Sequence, residues 1–422
     1  MERLSHKARF TKYRDDSVIQ KATQYAKWTL PQLMAEQTQG HRSSPAAIER
    51  DYQEAGPLLV NNLSAKLAGL LFPSSRPFYK IDASPDLLKT AMEAGRTEAE
   101  LQQAFALLEQ KSCLRLFVNA SYNQIVMALK HLIITGNVLL YRDSKRSPSV
   151  AYGLQHYSVL RDGQGNMLDC ILREHTDISS LEPDVQAAVR RANPTRYNGD
   201  CPPPVELYTR IHRKRGESGK LYCEVTQEAD SVPVGTPGIY PERLCPWQAI
   251  TWSLLVGENY GRGLVEDFAG GFAKLSDGSH AATLYSIEMM KVVNLVAPGL
   301  GADVDELANA ESGEYVSGAT GSVTAYENGD GDKLQAMRAE LAEVFSNLAR
   351  AFMYKANTRD AERVTAFELK QDALEAETTL GGVYSSLAEA MQIPLAHILL
   401  TEADASVLEG LVTDTLELNI IA

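Results

Sequence analysis

Residues 361–396 read AERVTAFELKQDALEAETTLGGVYSSLAEAMQIPLA. Apolar side chains recur there at helical spacing, with Leu369, Ala373, Leu380, Val383, Leu387 and Met391 on one face. Thr365 and Glu368 have the spacing of a capping box, and Val364 with Leu369 that of a hydrophobic staple, so a helix is expected to begin there. From Ala366 to Gln392 it would run roughly 40 Å at ~1.5 Å per residue. Gly381 and Gly382 fall near its middle, and each costs about 1 kcal/mol relative to alanine in a helix interior. Two readings fit the pair: a kink at this point, or another backbone packed closely against the glycines without a bend.

Just upstream, YKANTRDAER (354–363) carries Lys355, Arg359 and Arg363 inside an acidic part of the chain. Basic residues favour a helix C-terminus and loops are solvated, which is one account of them. A basic finger facing a phosphate backbone is the other. Before this loop, residues 330–354 have helical period, with Leu334, Met337, Leu341, Val344, Leu348 and Phe352 almost on heptad spacing. So narrow a stripe suits a neighbouring helix. Residues 258–296 also read as helix. Between these two segments, Gly299 to Asn328 is rich in glycine and alanine, with short β-like pieces (EYVSG, SVTAYE).

Toward the N-terminus, residues 15–34 look helical until Pro31, and residues 45–72 give a second helix striped by Leu59, Leu63, Leu67, Leu70 and Leu71. Residues 97–118 and 121–135 read as a helix pair stopped by Gly136. NVLLYRD then opens a period of two that lasts to about 253, with hairpin signals in YSVLRDGQGNMLDCILRE and LYTRIHRKRGESGKLYCEV. A short helix (Asp184 to Arg191) and a Pro-rich linker (Asn193 to Pro204) lie between those hairpins. The expected class is mixed α+β, mainly helical.

The chain has 422 residues, 44% of them hydrophobic, so it can bury a core, and its formal net charge is −13. That balance argues against a surface that grips nucleic acid all round. The charge is uneven: residues 301–422 hold 22 acids and 7 bases, while residues 1–27 hold 7 bases and 3 acids. The basic start reads as a solvated terminus. Cys113, Cys170, Cys201, Cys223 and Cys245 are scattered and never form C-x-x-C, which fits a reducing compartment without a disulfide framework or a zinc site. MERLSHKARFTKYRDD lacks the apolar core of a signal peptide, and no apolar run approaches a membrane span.

Catalytic patterns are missing. There is no P-loop, no G-x-S-x-G and no H-E-x-x-H. GENYGRG (257–263) lacks nucleotide-loop spacing and reads as a turn leading into a helix. NGDGDK (328–333) begins like a calcium loop, but Lys333 and Ala339 stand where glycine and glutamate are needed, so its acids are assigned to a helix N-terminus. His156, His175 and His212 read as surface or satisfied core residues. No catalytic residue, metal site or cofactor is expected.

Several blocks resemble one family. They are YAKWTLPQLM (25–34), VNNLSAKLAGLLFP (60–73), LKHLIITGNVLLYRD (129–143), YSVLRDGQGNML (157–168), YPERLCPW (240–247), GENYGRGLVEDFAG (257–270) and ERVTAFELKQDALEAETTLGGVYSSLAEAMQIPLA (362–396). In order and spacing they resemble the portal proteins, or head-to-tail connectors, of short-tailed, podovirus-type bacteriophages. The resemblance implies a ring, usually dodecameric in that family, around a channel for double-stranded DNA. It implies a wing over residues 1–257, with its β-rich part at about 137–253. Stem helices would be 258–296 and 329–354, with a clip at 297–328 between them. Residues 355–364 would form the tunnel loop and 365–400 the long kinked wing helix. Residues 401–422 would begin a crown or form a tail; the family usually continues into a helical crown, which is expected to be short, absent or trimmed here.

On that resemblance Lys355, Arg359 and Arg363 would face DNA, with Arg359 leading, and Gly381 and Gly382 would let the long helix change direction. Asp303, Asp305 and Glu306 in the clip would dock the tail adaptor. The implied partners are further copies of the chain, DNA passing through, the tail adaptor, the terminase packaging motor, capsid and scaffolding proteins, and internal core proteins, with no membrane. The implied location is the portal vertex of the virion, after assembly in the host cytoplasm. A metal-dependent viral DNA-processing enzyme is the alternative, since it would account for the acidic C-terminal region. A tail adaptor ring is a third reading, disfavoured by chain length and by the stem–insert–stem layout.

Overall fold

The computed structural model describes residues 4–35, 51–82, 97–118, 121–142, 149–199, 202–216, 219–297, 303–311, 323–327, 330–354, 374–375, 378–402 and 419–421, with residues 89, 92, 93, 95, 315, 317, 319 and 321. The chain divides into a larger unit (1–50, 54–269 and 349–422) and a smaller one (51–53 and 270–348).

The larger unit starts with α1 (His6–Tyr13), capped by the Ser5 hydroxyl, and α2 (Asp16–Trp28), capped by the Asp15 carboxylate. The basic start is therefore not a free solvated terminus. Phe10 of α1 is buried against Ile171 and Tyr208, Lys7 pairs with Glu206 at 2.7 Å, and the His6 amide donates to Glu228 at 2.8 Å. A single aromatic with matched charges was enough to seat a stretch whose average composition reads as soluble. After the break at Pro31 comes α3 (Ala55–Leu71), whose Leu59, Leu63, Leu67 and Leu71 are fully buried. The short strand β1 (Lys80–Asp82) precedes the helix pair α4 (Glu98–Val118) and α5 (Ser121–Thr135).

The β region forms two antiparallel sheets. β2 (Asn137–Tyr141) sits between β3 (Val150–Tyr152) and β9 (Trp247–Thr251). β4 (Tyr157–Arg161), β5 (Met167–Thr176), β6 (Val205–Arg215), β7 (Leu221–Ala229) and β8 (Val232–Pro241) form a five-stranded meander. β8 has no clear sequence signal, because Pro233 and Pro237 interrupt it; it is tolerated as an edge strand, where missing N–H groups cost no ladder bond. Helix α6 (Pro183–Ala192) covers one end of the meander through Val185 and Val189, with Tyr197 of the short α7 (Pro194–Tyr197) in the same cluster.

Residues read as one helix over 258–296 divide differently. α8 (Leu264–Asp267) and α9 (Ala269–Met289) are followed by a strand, β10 (Val292–Val296). The run VVNLV is β-branched and apolar, and pairing with β11 (Val323–Glu327) overrides the helical period. Between these strands lies α10 (Val304–Asn309), and after them α11 (Gly331–Ala351), narrower than the expected 329–354. EYVSG is not a strand at its described positions 315 and 317.

Farther on, helical turns at 378–379 stop at Leu380, and helix resumes as α12 (Val383–Leu387). A π-helical turn (Ala388–Gln392) leads into α13 (Ile393–Glu402). Pro394 lacks an N–H and crowds the preceding carbonyls, which accounts for the widened turn just before it. The Gln392 side chain donates to the Leu71 carbonyl at the end of α3, satisfying an otherwise unpaired helix terminus. β12 (Asn419–Ile421) pairs antiparallel with β1.

Candidate functional site

Among the described residues the informative geometry lies at a junction of loops in the larger unit and on the smaller unit. The junction is built by GENYGRG, and three of the sequence blocks converge on it. Gly136, which ends α5, has φ +73°, and a Cβ there would lie 2.3 Å from the Arg262 carbonyl carbon. Only glycine allows both the left-handed conformation and so close an approach of two backbones. Asn137 locks the contact: its Nδ2 donates to the Gly261 carbonyl at 2.7 Å, and its Oδ1 accepts from the Gly261 amide at 2.8 Å. From the adjoining block, Arg161 donates to the carbonyls of Asn259 (3.0 Å), Gly165 (2.9 Å) and Ala249 (3.0 Å). Tyr260 donates to the Tyr13 carbonyl at 2.9 Å and accepts from the Val159 amide at 3.3 Å. Sequence reading found a turn at GENYGRG but not its partners, since contacts over about 100 residues leave no local periodicity.

In the smaller unit, α9 and α11 run antiparallel. Leu348 packs on Gly271, Leu341 on Gly278, Lys274 pairs with Glu340 at 2.5 Å, and the Tyr285 hydroxyl accepts from the Asp330 amide at 2.8 Å. The heptad-spaced leucines thus sit on heptad-spaced glycines. Asp330 caps α11 by accepting from the Asp332 amide, the role given to those acids from sequence. Outside these contacts the unit is thinly covered. Leu284, Ile287 and Met290 follow one another every third residue and are 54%, 51% and 74% exposed, and Tyr315 is fully exposed.

The sequence-derived candidates fall in different places. Asp303 caps α10 through the Asp305 amide at 2.9 Å; Asp305 and Glu306 lie in its first turn, exposed, with Ser317 donating to Glu306 at 3.0 Å. Gly381 and Gly382 have φ +61° and +88°, and helical hydrogen bonding is interrupted around them. Among the described residues, nothing lies within 4 Å of a Cβ placed on Gly381. Lys355, Arg359 and Arg363 lie outside the described residues. Among the described residues no three His, Cys, Asp or Glu side chains converge as metal ligands, and no helix is long and apolar enough to cross a membrane.

Comparison with known proteins adds a consistent set of relatives. The family described as "Bacteriophage head to tail connecting protein" matches residues 3–407. The portal protein of Pseudomonas phage phiKMV is 44% identical over 402 residues, covering 95% of this chain and 78% of that protein. The portal protein of Enterobacteria phage SP6 is 32% identical over 398 residues (93% and 75%), and that of Escherichia phage T7 is 28% identical over 392 residues (92% and 71%).

Proposed function

This chain belongs to the bacteriophage head to tail connecting protein family and has the structural role of a portal, and we propose that its copies close into a ring, dodecameric as is usual in that family, around a channel for double-stranded DNA at the capsid vertex. The observation that supports this reading best is the exposed apolar row Leu284, Ile287 and Met290 on the smaller unit. Apolar surface left open on one chain gains about 25 cal/mol per Å² when another covers it, and neighbouring copies in a ring each present the same row. The antiparallel pair α9 and α11 forms the stem, residues 297–322 with their flanking strands the clip, and most of the larger unit the wing.

The mechanism is passive. A conduit needs shape and charge but no base-reading contact, since tight neutralisation of phosphates would hold the DNA in place. The acidic C-terminal third repels the duplex along the bore, and Lys355, Arg359 and Arg363 supply a brief basic constriction, once per subunit. The packaging work belongs to a separate terminase motor; this chain makes and breaks no bond. It assembles in the host cytoplasm with scaffolding and capsid proteins, meets internal core proteins, and receives the tail adaptor on Asp303, Asp305 and Glu306. The glycine pair gives the long helix its change of direction.

The test is assembly and passage. Analytical ultracentrifugation and negative-stain electron microscopy are expected to show rings, and the double variant Leu284→Asp, Ile287→Asp to shift them to monomer while the larger unit stays folded. A wild-type chain that stays monomeric at micromolar concentration, with and without scaffolding protein, overturns the ring. Arg359→Ala is expected to alter DNA packaging or retention in rings of normal size; wild-type behaviour in both would remove Arg359 from the constriction.

A further inference from the structure

We infer that Asp51 and Tyr52 are positioning residues for assembly: they form a strap that sets the direction in which α9 presents Leu284, Ile287 and Met290. The inference rests on the reading of that row as the contact between copies. Residues 51–53 belong with the smaller unit, while the chain on either side of them belongs to the larger one. The strap meets α9 at two points one turn apart. The Ser276 hydroxyl donates to Asp51 Oδ1 at 2.6 Å, and the Tyr52 ring stacks on the His280 imidazole, with centroids 4.0 Å apart and an interplanar angle of 17°. Asp51 is itself braced, since its carboxylate accepts from the Tyr52 amide at 2.9 Å and from Gln53 Nε2 at 2.8 Å.

Helical geometry joins these contacts to the row. At about 100° per residue, Ser276, His280, Leu284, Ile287 and Met290 fall within roughly 120° of one another around the helix, and Gly271, Gly278 and Tyr285 lie on the opposite side. The row begins one turn beyond His280. Phe272 and Leu275 are buried in the first half of α9, but from Gly278 to Met289 no side chain is buried. Contacts that hold this second half include Leu341 on Gly278, the hydrogen bond between Tyr285 and Asp330, and the Tyr52–His280 stack. The first two lie on the side of α11; the stack lies opposite. A helix held along one side can roll on that seam, because a glycine offers no side chain to resist rotation about the helix axis. A hydrogen bond and a ring stack one turn apart on the other side cannot both persist if α9 rolls. The strap thus fixes which way the row points.

The experiment compares Tyr52→Ala, Tyr52→Phe and Ser276→Ala with the wild-type full chain. Hydrogen exchange read by mass spectrometry on the dilute, monomeric chain reports on α9 directly. Its amides beyond Gly278 are expected to exchange about fivefold faster in Tyr52→Ala, the factor that ~1 kcal/mol of stacking supplies. Tyr52→Phe is expected to exchange at the wild-type rate, since the stack uses the ring and not the hydroxyl. Ser276→Ala is expected to loosen the same amides to a smaller extent, although alanine is the better helix former. Sedimentation then reads assembly. The concentration at which rings form is expected to rise several-fold in Tyr52→Ala and to be restored in Tyr52→Phe, with far-ultraviolet circular dichroism unchanged, so that direction is lost and the fold is not. Equal exchange in Tyr52→Ala and the wild type, or faster exchange with assembly unchanged, overturns the inference. A wild-type chain that forms no rings overturns the ring reading alone, and the exchange comparison then decides whether the strap holds α9.

Discussion

The junction around GENYGRG and the helix pair of the smaller unit solve the same problem, a crossing of backbones at glycine, in opposite ways. At the junction, Gly136 and Gly263 admit backbone atoms, and Asn137, Arg161 and Tyr260 saturate the carbonyls and amides that result. Along α9, the nearest described neighbours of Gly271 and Gly278 are the leucine side chains Leu348 and Leu341 of α11. Among the described residues of the smaller unit, the buried hydrophobics are Phe272, Leu275 and Leu348. The junction is complete within one chain; the helix pair leaves apolar surface for something else to cover. Substitutions at the first should therefore be read in folding stability, and substitutions at the second in association.

The sharpest way to break that contrast is Gly136→Val. A branched side chain at φ +73° with a Cβ in contact with the Arg262 backbone forces two segments apart. The expected loss is about 3–5 kcal/mol, from strain together with disrupted packing. Urea denaturation followed by tryptophan fluorescence checks it; a midpoint within error of wild type would mean that the junction is not the fixed point described.

A second prediction concerns acid. His131 is buried in α5 against Gly153, with Nδ1 lacking a hydrogen-bond partner, and burial pushes its imidazole down to about 4, with His156 adding to the effect. The unfolded chain takes up the proton near the ordinary 6.5, whereas the folded chain resists it until about 4. Stability is therefore full above 6.5 and falls as pH drops toward 4, by on the order of 3 kcal/mol for this group. His131→Asn is expected to flatten that slope in urea titrations between those limits. Parallel slopes for variant and wild type would assign the acid sensitivity elsewhere, with the half-buried His156 next in line.

Smaller still is the expected effect of Gly381→Ala and Gly382→Ala. Both backbones are left-handed, so each change costs about 1 kcal/mol of conformational strain. In a continuous helix the same changes would instead stabilise by up to about 1 kcal/mol. The sign of the shift in thermal midpoint thus separates a break at the pair from an unbroken helix.

How much of this was legible in the sequence differs between the same two regions. The leucine stripe of α11 announced a partner helix, because heptad spacing records a local surface. The glycines at 271 and 278 that receive it are also seven apart, but their spacing announces no partner, since glycine is read equally well as a turn. The β10 run fits a helical period in sequence because its strand partner is about 30 residues away, and short apolar runs fit either period. The junction's blocks were each visible as punctuation at Gly136, DGQGN and GENYGRG, yet their meeting depends on tertiary hydrogen bonds that no periodicity encodes. α1 leaves no helical signal in the sequence, because one buried phenylalanine among charges gives too weak a stripe.

The least effect on folding, and the clearest test of the contrast, is expected from charge removal at α10. Asp305 and Glu306 are exposed and outside any buried contact, so Asp305→Asn with Glu306→Gln should change stability by less than about 0.5 kcal/mol. Asp303 is left intact because its carboxylate caps the helix, and losing a cap costs about 1 kcal/mol by itself. If this face receives the tail adaptor, removing two charges per subunit should weaken docking several-fold, and the loss should shrink as salt is raised, because exposed charges are screened over about 10 Å at 0.1 M. The measurement is adaptor binding to assembled rings by interferometry at two salt concentrations, beside the thermal midpoint of the same rings. Unchanged affinity at both would take Asp305 and Glu306 out of the docking face. A lowered midpoint would mean instead that these acids serve the ring's own cohesion, and that the smaller unit meets its neighbours through charge as well as through its apolar row.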